Sequence, residues 1–86
     1  MFREEDNMPR EKMMKVVFAF PTTTMAMKME AAAKAKAAPG RLIPVPRQIS
    51  AGCGMAWCAL VADRVSLEQL IATEQIVTEG CYELLL

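Results

Sequence analysis

Residues 42–62 read LIPVPRQISAGCGMAWCALVA and decide the fold, because two apolar runs flank a loop that contains Gly52-Cys53-Gly54. The first run, residues 42–45, is interrupted by Pro44, which has no amide hydrogen to donate and therefore belongs at the edge of a sheet. The second run, residues 55–62, is apolar on both of its alternating faces and predicts a central strand covered on both sides. We therefore expect a hairpin with a cysteine in its loop.

The segments before this hairpin predict one strand and one helix. Residues 14–20 form a short run of β-branched, aromatic and other apolar residues closed by Pro21, which is typical of a strand buried on both sides. Residues 23–38 are almost all strong helix formers, and Pro39-Gly40 ends the run. The buried face of this helix is predicted from four residues at helical spacing: Ala26, Met29, Ala33 and Ala37.

The segments after the hairpin predict a second helix and a final strand. Ser66 followed by Gln69 forms a capping box, and Val65 is placed to pack on Leu70, so we expect a helix from residue 66 to about residue 75. Its buried face is predicted from Leu67, Leu70 and Ile71. Gly80 then turns the chain into residues 81–86, an apolar terminal strand.

The resulting order, strand, helix, strand, strand, helix, strand, predicts an α+β fold, a ferredoxin-like βαββαβ sandwich with a four-stranded antiparallel sheet and two helices on one face. We expect a single domain over residues 12–86 and a disordered tail over residues 1–11, which lack apolar periodicity. The first two strands run parallel in this fold, so Thr22 and Thr23 at the start of the first helix should lie at the same sheet end as Cys53.

Composition excludes several classes of function. Ten basic and ten acidic residues cancel, and no basic cluster is interleaved with aromatic residues, so we expect no nucleic-acid partner. No apolar stretch approaches the ~20 residues of a membrane span, and the polar start differs from a signal peptide, so we expect a cytoplasmic protein with no membrane partner. Three cysteines without histidine or a Cys-x-x-Cys motif predict reduced thiols, no metal and no cofactor.

Cys53 is the strongest candidate for a chemically reactive residue. Gly52 and Gly54 allow positive φ on both sides and let a partner approach the thiol closely. Arg47 supplies a permanent positive charge, and such surroundings lower the pKa of a thiol and favour the reactive thiolate. The alternative is a tight turn that merely contains a small inert residue. We expect Cys58, within a strand, and Cys81, at the start of another, to be packing residues.

A set of short motifs follows the same part of the chain: Phe20-Pro21-Thr22 before a helix with Glu30, Ile43-Pro44-Val45-Pro46-Arg47, Ile49-Ser50, and Gly52-Cys53-Gly54 at the head of a strand. This set resembles the family called putative Se/S carrier protein-like, over roughly residues 14–86. The most specific part is Pro46-Arg47 followed by Ser50 and Cys53-Gly54. The charged tail and Cys58 lie outside the family's pattern.

The resemblance implies a function for the loop. Cys53 would take sulfur or selenium from a donor protein, hold it as a persulfide, and pass it to an acceptor enzyme. Arg47 and the amides of the loop and of the first helix would stabilise the anion, and Ser50 would donate a hydrogen bond.

The competing hypothesis is a protein-interaction or oligomerisation module in which Cys53 is structural. Strands 14–20 and 55–62 are apolar on both faces, which predicts a homodimer through the open face of the sheet. A stand-alone enzyme is the weakest of the three hypotheses, because the chain has no histidine and no recognisable cofactor loop.

Overall fold

The computed structural model describes residues 13–49 and 54–86. Its elements follow the predicted order: β1 (Met14–Ala19), α1 (Thr23–Lys36), β2 (Arg41–Pro44), β3 (Met55–Leu60), a 3-10 turn (Val61–Asp63), α2 (Arg64–Thr73) and β4 (Gly80–Leu85). The tail predicted over residues 1–11 lies outside the described residues.

The four strands form one sheet in the order β2-β3-β1-β4, and every neighbouring pair is antiparallel. Val17 of β1 lies opposite Cys58 of β3 and Tyr82 of β4, and these three side chains therefore share one face. The predicted central positions of β1 and β3 and the edge position of β2 are confirmed. The arrangement is α+β and is consistent with a ferredoxin-like sandwich.

The main core lies between the sheet and both helices, which therefore cover the same face. Five residues of β1, β3 and the segment after β1 supply its sheet side: Val16, Phe18, Phe20, Trp57 and Ala59. The buried helix residues of this cluster are Ala26, Met29, Ala32, Ala33 and Leu67. Small alanine side chains let α1 approach the sheet closely, while Met29 and Leu67 fill the remaining space between the layers.

A second, smaller cluster covers part of the helix-free face. Its buried members are Val17, Ala19, Ile49, Ala56 and Cys58, and Ile43, Val45, Leu84 and Leu86 pack against them. Ile49 comes from the loop after β2 and is 7% exposed. The face that the sequence predicts to be open is therefore already partly covered by the chain's own loop.

Several predicted boundaries differ from the structure by one or two residues, and the start of α2 is one of them. This helix begins at Arg64, so Ser66 lies within its first turn and forms no capping box. The 3-10 turn leads directly into the helix, and the Arg64 amide donates to the carbonyl of Val61, which replaces a side-chain cap. Val65 is 64% exposed and does not act as a hydrophobic staple. The same 3-10 turn ends β3 at Leu60, two residues before the predicted limit.

The end of α1 also differs from the prediction. Ala37 takes the left-handed conformation with φ of 54°, and the Ala38 amide donates to the carbonyl of Ala33 at 2.8 Å. These features close the helix after Lys36. Ala37 therefore does not belong to the buried face, and Ala32 contributes there instead.

Candidate functional site

The loop between β2 and β3 is the candidate site, and the structure describes its two flanks. Ser50, Gly52 and Cys53 lie outside the described residues, so their placement stays a prediction. Arg47 lies in the described first half of the loop, and Gly54 lies at its end.

Two backbone hydrogen bonds fix the flanks of this loop. The amide of Val45 donates to the carbonyl of Gly54 at 3.0 Å, which closes the base of the hairpin. The amide of Ile49 donates to the carbonyl of Pro46 at 2.9 Å, which forms a β-turn with Arg47 at its second position. Because the Ile49 side chain is buried, the turn is anchored to the sheet while Arg47 stays exposed.

Arg47 is available as a cation. Within residues 13–49 and 54–86, no carboxylate forms an ion pair with it. Arg64, in contrast, binds both Glu68 and Glu83, at 2.9 and 2.6 Å. As far as the described residues are concerned, the charge of Arg47 can act on an anion that approaches the loop.

Gly54 has the backbone conformation that the sequence predicts. Its φ is 79°, which a residue with a Cβ adopts only with strain. A Cβ built at this position would meet no atom within 4 Å, so the glycine is required by the backbone and not by crowding.

The start of α1 lies at the same end of the sheet as this loop. Ala19 is opposite Ala56, and extending that antiparallel register by two residues places Pro21 beside Gly54. Thr22 is the N-cap of α1, and its hydroxyl accepts a hydrogen bond from the amide of Met25 at 3.3 Å. Helix geometry leaves the amide of Thr23, the first helical residue, without an acceptor inside the helix, so it points a partial positive charge towards this end.

The other two thiols are packed in the body of the fold. Cys58 is 9% exposed and belongs to the cluster on the helix-free face, as its place within a strand predicts. Cys81 is partly buried and packs against the main core. Burial raises the pKa of the Cys81 thiol above its ordinary value, an effect that Arg64 opposes and Glu68 and Glu83 reinforce.

Cys81 should therefore be a slow nucleophile near neutral pH. A raised pKa leaves less thiolate at every pH below it, and the thiolate is the reactive form. In a chain with Cys53→Ser and Cys58→Ala, we expect Cys81 to react with iodoacetamide at pH 7.5 more slowly than free cysteine. The rate should keep rising with pH beyond the point at which free cysteine levels off. A plateau at lower pH than that of free cysteine would contradict the prediction.

Three cavities of about 360, 380 and 410 Å³ lie towards the opposite end of the sheet from the loop. All of them adjoin the connection from α1 to β2, which contains Pro39 and Gly40. None of them is lined by the described flanks of the Cys53 loop. The described residues also contain no group of three side chains able to hold a metal ion. At the loop end of the sheet, the described residues offer an exposed cation, Arg47, and the backbone amides at the start of α1.

Comparison with known proteins gives a family match that covers most of the chain. The family model described as putative Se/S carrier protein-like matches residues 15–83, which include the whole loop between β2 and β3. No curated protein and no solved structure matches the chain. Among the helices in the described ranges, none has the length and apolar character needed to cross a membrane.

Proposed function

Because the chain belongs to the putative Se/S carrier protein-like family, we propose that it carries sulfur or selenium on Cys53, as a persulfide or its selenium analogue. The observation that carries this proposal is the match over residues 15–83, since it covers Cys53 together with Arg47 and Ser50. The donor is a protein that presents a sulfane sulfur or its selenium equivalent, and the acceptor is an enzyme that uses it.

Loading is a thiol exchange. The Cys53 thiolate attacks the outer sulfur of the donor's persulfide, a new sulfur–sulfur bond forms at Cys53, and the donor's cysteine leaves as a thiolate. The electron pair of the broken bond stays with the donor, so no external oxidant or reductant is needed. A nucleophile of the acceptor then attacks the outer sulfur on Cys53 and returns Cys53 to its thiolate.

The described flanks support this chemistry. Both the thiolate and the persulfide are anions, and exposed Arg47 and the amide end of α1 supply positive potential at this end of the sheet. Gly54 adds no side chain on the loop's second flank, which leaves room for a donor protein. In the same proposal, Gly52 gives access on the other side of Cys53, Ser50 donates a hydrogen bond to the anion, and Thr22 holds the start of α1 in place.

Removing the charge of Arg47 should slow the alkylation of Cys53 without abolishing it. We expect Arg47→Ala to reduce the alkylation rate of Cys53 at pH 7.5 by about 3- to 10-fold, because the thiol pKa rises when a nearby cation is lost. Arg47→Lys keeps the charge and should retain most of the rate. Arg41→Ala is a matched control, since Arg41 is an exposed arginine at the other end of β2. If Arg47→Ala and Arg41→Ala reduce the alkylation rate of Cys53 equally, the charge of Arg47 has no local effect on Cys53.

The proposed function is tested by intact-mass spectrometry together with mass spectrometry of the peptides after digestion without reductant. The full chain is incubated with a cysteine desulfurase and cysteine, separated from small molecules without reductant, and analysed before and after cyanide treatment. The expected result is an added mass of one sulfur atom, located on the peptide that contains Cys53 and removed by cyanide. If sulfur appears equally on Cys58 or Cys81, or on none of the three, the carrier hypothesis is wrong.

In that event, the interaction-module hypothesis takes its place, with Cys53 as a turn residue. A homodimer through the helix-free face stays a prediction of that hypothesis, and the exposed apolar side chains that favour it there are Leu60 and Tyr82. We further propose a cytoplasmic location, because persulfide transfer requires thiols that are kept reduced.

A further inference from the structure

The outer edge of β4 has no partner strand in the part of the chain that the structure describes. Within residues 13–49 and 54–86, β4 is the last strand of the sheet and pairs only with β1. Met13 and Leu86 exchange two backbone hydrogen bonds of 3.0 Å, which marks them as a hydrogen-bonded pair. Bonded residues alternate along an antiparallel ladder, so Tyr82 and Leu84 also bond towards β1. The amides and carbonyls of the alternate residues point outwards, namely those of Cys81, Glu83 and Leu85.

The sequence of β4 offers little of the usual protection against another strand. Residues 80–86 read GCYELLL, without proline or lysine, and their one charge, Glu83, is bound to Arg64 at 2.6 Å. Leu85 is 54% exposed and Tyr82 is 36% exposed. The opposite edge differs, because β2 has only four residues and contains Pro44 and the exposed Arg41.

We infer that two copies of this chain associate through their β4 strands, which pair antiparallel about a two-fold axis to form one continuous sheet. Antiparallel pairing is self-complementary, because each outward amide of one copy meets an outward carbonyl of the other. The register that uses all three outward residues places Glu83 opposite its own copy. It also places Tyr82 opposite Leu84 of the second copy on the helix-free face, an aromatic and aliphatic pair.

A second copy fits this edge better than an unrelated peptide. Domains that add a peptide strand to a sheet edge select it with pockets for alternate side chains. None of the three cavities given above includes a residue of β4, since all three are lined by other elements. Two edges of six residues also make a small interface, so the dimer should form and dissociate with concentration.

The test compares two substitutions at Glu83. The Glu83 amide points away from β1, so proline there removes an outward donor but no bond of the β1–β4 ladder. Both Glu83→Pro and Glu83→Ala remove the ion pair with Arg64, and only proline blocks the edge. Sedimentation equilibrium in reductant, from about 5 to about 500 µM, measures the dimer dissociation constant for each variant and for the original chain.

The expected result is a dimer in the original chain and in Glu83→Ala, with dissociation constants within about threefold of each other, and a constant at least ~10-fold higher in Glu83→Pro. A monomer at every concentration, or a dimer unaffected by proline, would overturn the inference. Leu60→Glu separates the two surfaces, because Leu60 is 41% exposed on the helix-free face and lies away from β4. If Leu60→Glu abolishes the dimer and Glu83→Pro does not, the dimer forms through the helix-free face, and the inference that it forms through β4 is wrong.

If circular dichroism shows that Glu83→Pro does not fold, amide exchange in the original chain provides the decisive measurement. The amides of Cys81, Glu83 and Leu85 should exchange at least ~5-fold more slowly at the highest concentration than at the lowest. The amide of Tyr82 already bonds to β1, so its exchange rate should change less with concentration. Outward amides that exchange at one rate across the dimerisation range would overturn the inference.

Discussion

Replacing Cys53 with serine is expected to abolish both rapid alkylation of the chain and its uptake of sulfane sulfur. Serine keeps the size of the side chain but has no nucleophilic thiolate near neutral pH, so a change in loop shape does not account for the loss. With substoichiometric iodoacetamide at pH 7.5, the original chain should be labelled first at Cys53. Labelling of Cys53→Ser should be slower by at least ~10-fold.

Cys81→Ser is the matched control for this loss. Cys81 is the less buried of the two described thiols, so serine is tolerated there more easily than at Cys58. Cys81→Ser should take up sulfur and be labelled at the same rate as the original chain. The thermal midpoints of Cys53→Ser and Cys81→Ser should lie within a few degrees of that of the original chain. Sulfur uptake that persists in Cys53→Ser would exclude Cys53 as the carrier residue.

The fold could be predicted from the sequence because its signals are local and agree with one another. The apolar run of β1, the helix formers of α1, Pro44 in β2 and the two apolar faces of β3 each determine one element, and their order leaves few topologies. The errors occur where backbone geometry replaces side-chain signals. The start of α2 follows from a 3-10 turn, which Ser66 and Gln69 do not reveal.

The candidate site could be predicted only in part. The topology that brings the start of α1 beside the loop follows from strand order, and the positive φ of Gly54 follows from its residue type. The anchoring of the loop by Ile49 was not predicted, although an isolated apolar residue between Gln48 and Ser50 is a signal for it. The position of β4 at the edge of the described sheet does not follow from its own segment either, because an edge is a property of the strand order.

Among the glycines that the structure describes, Gly40 is the one at which an added methyl group should destabilise the fold most. It lies between α1 and β2, and its φ of 105° lies outside the range that residues with a Cβ commonly adopt. A Cβ there would lie 2.5 Å from Nε1 of Trp57 and 2.6 Å from the carbonyl oxygen of Cys58. Trp57 cannot move away easily, because it is 4% exposed and its Nε1 donates to the carbonyl of Pro39 at 3.0 Å.

Gly40→Ala should therefore lower the free energy of unfolding by about 2–4 kcal/mol, through backbone strain and overpacking together. Gly54→Ala is the matched control, because Gly54 also has positive φ but a Cβ there meets no atom within 4 Å. Gly54→Ala introduces only the backbone strain and should lower the free energy of unfolding by about 1 kcal/mol. Urea unfolding followed by Trp57 fluorescence measures both values. If Gly40→Ala costs no more than Gly54→Ala, the close packing of Trp57 against Gly40 is not what requires glycine at this position.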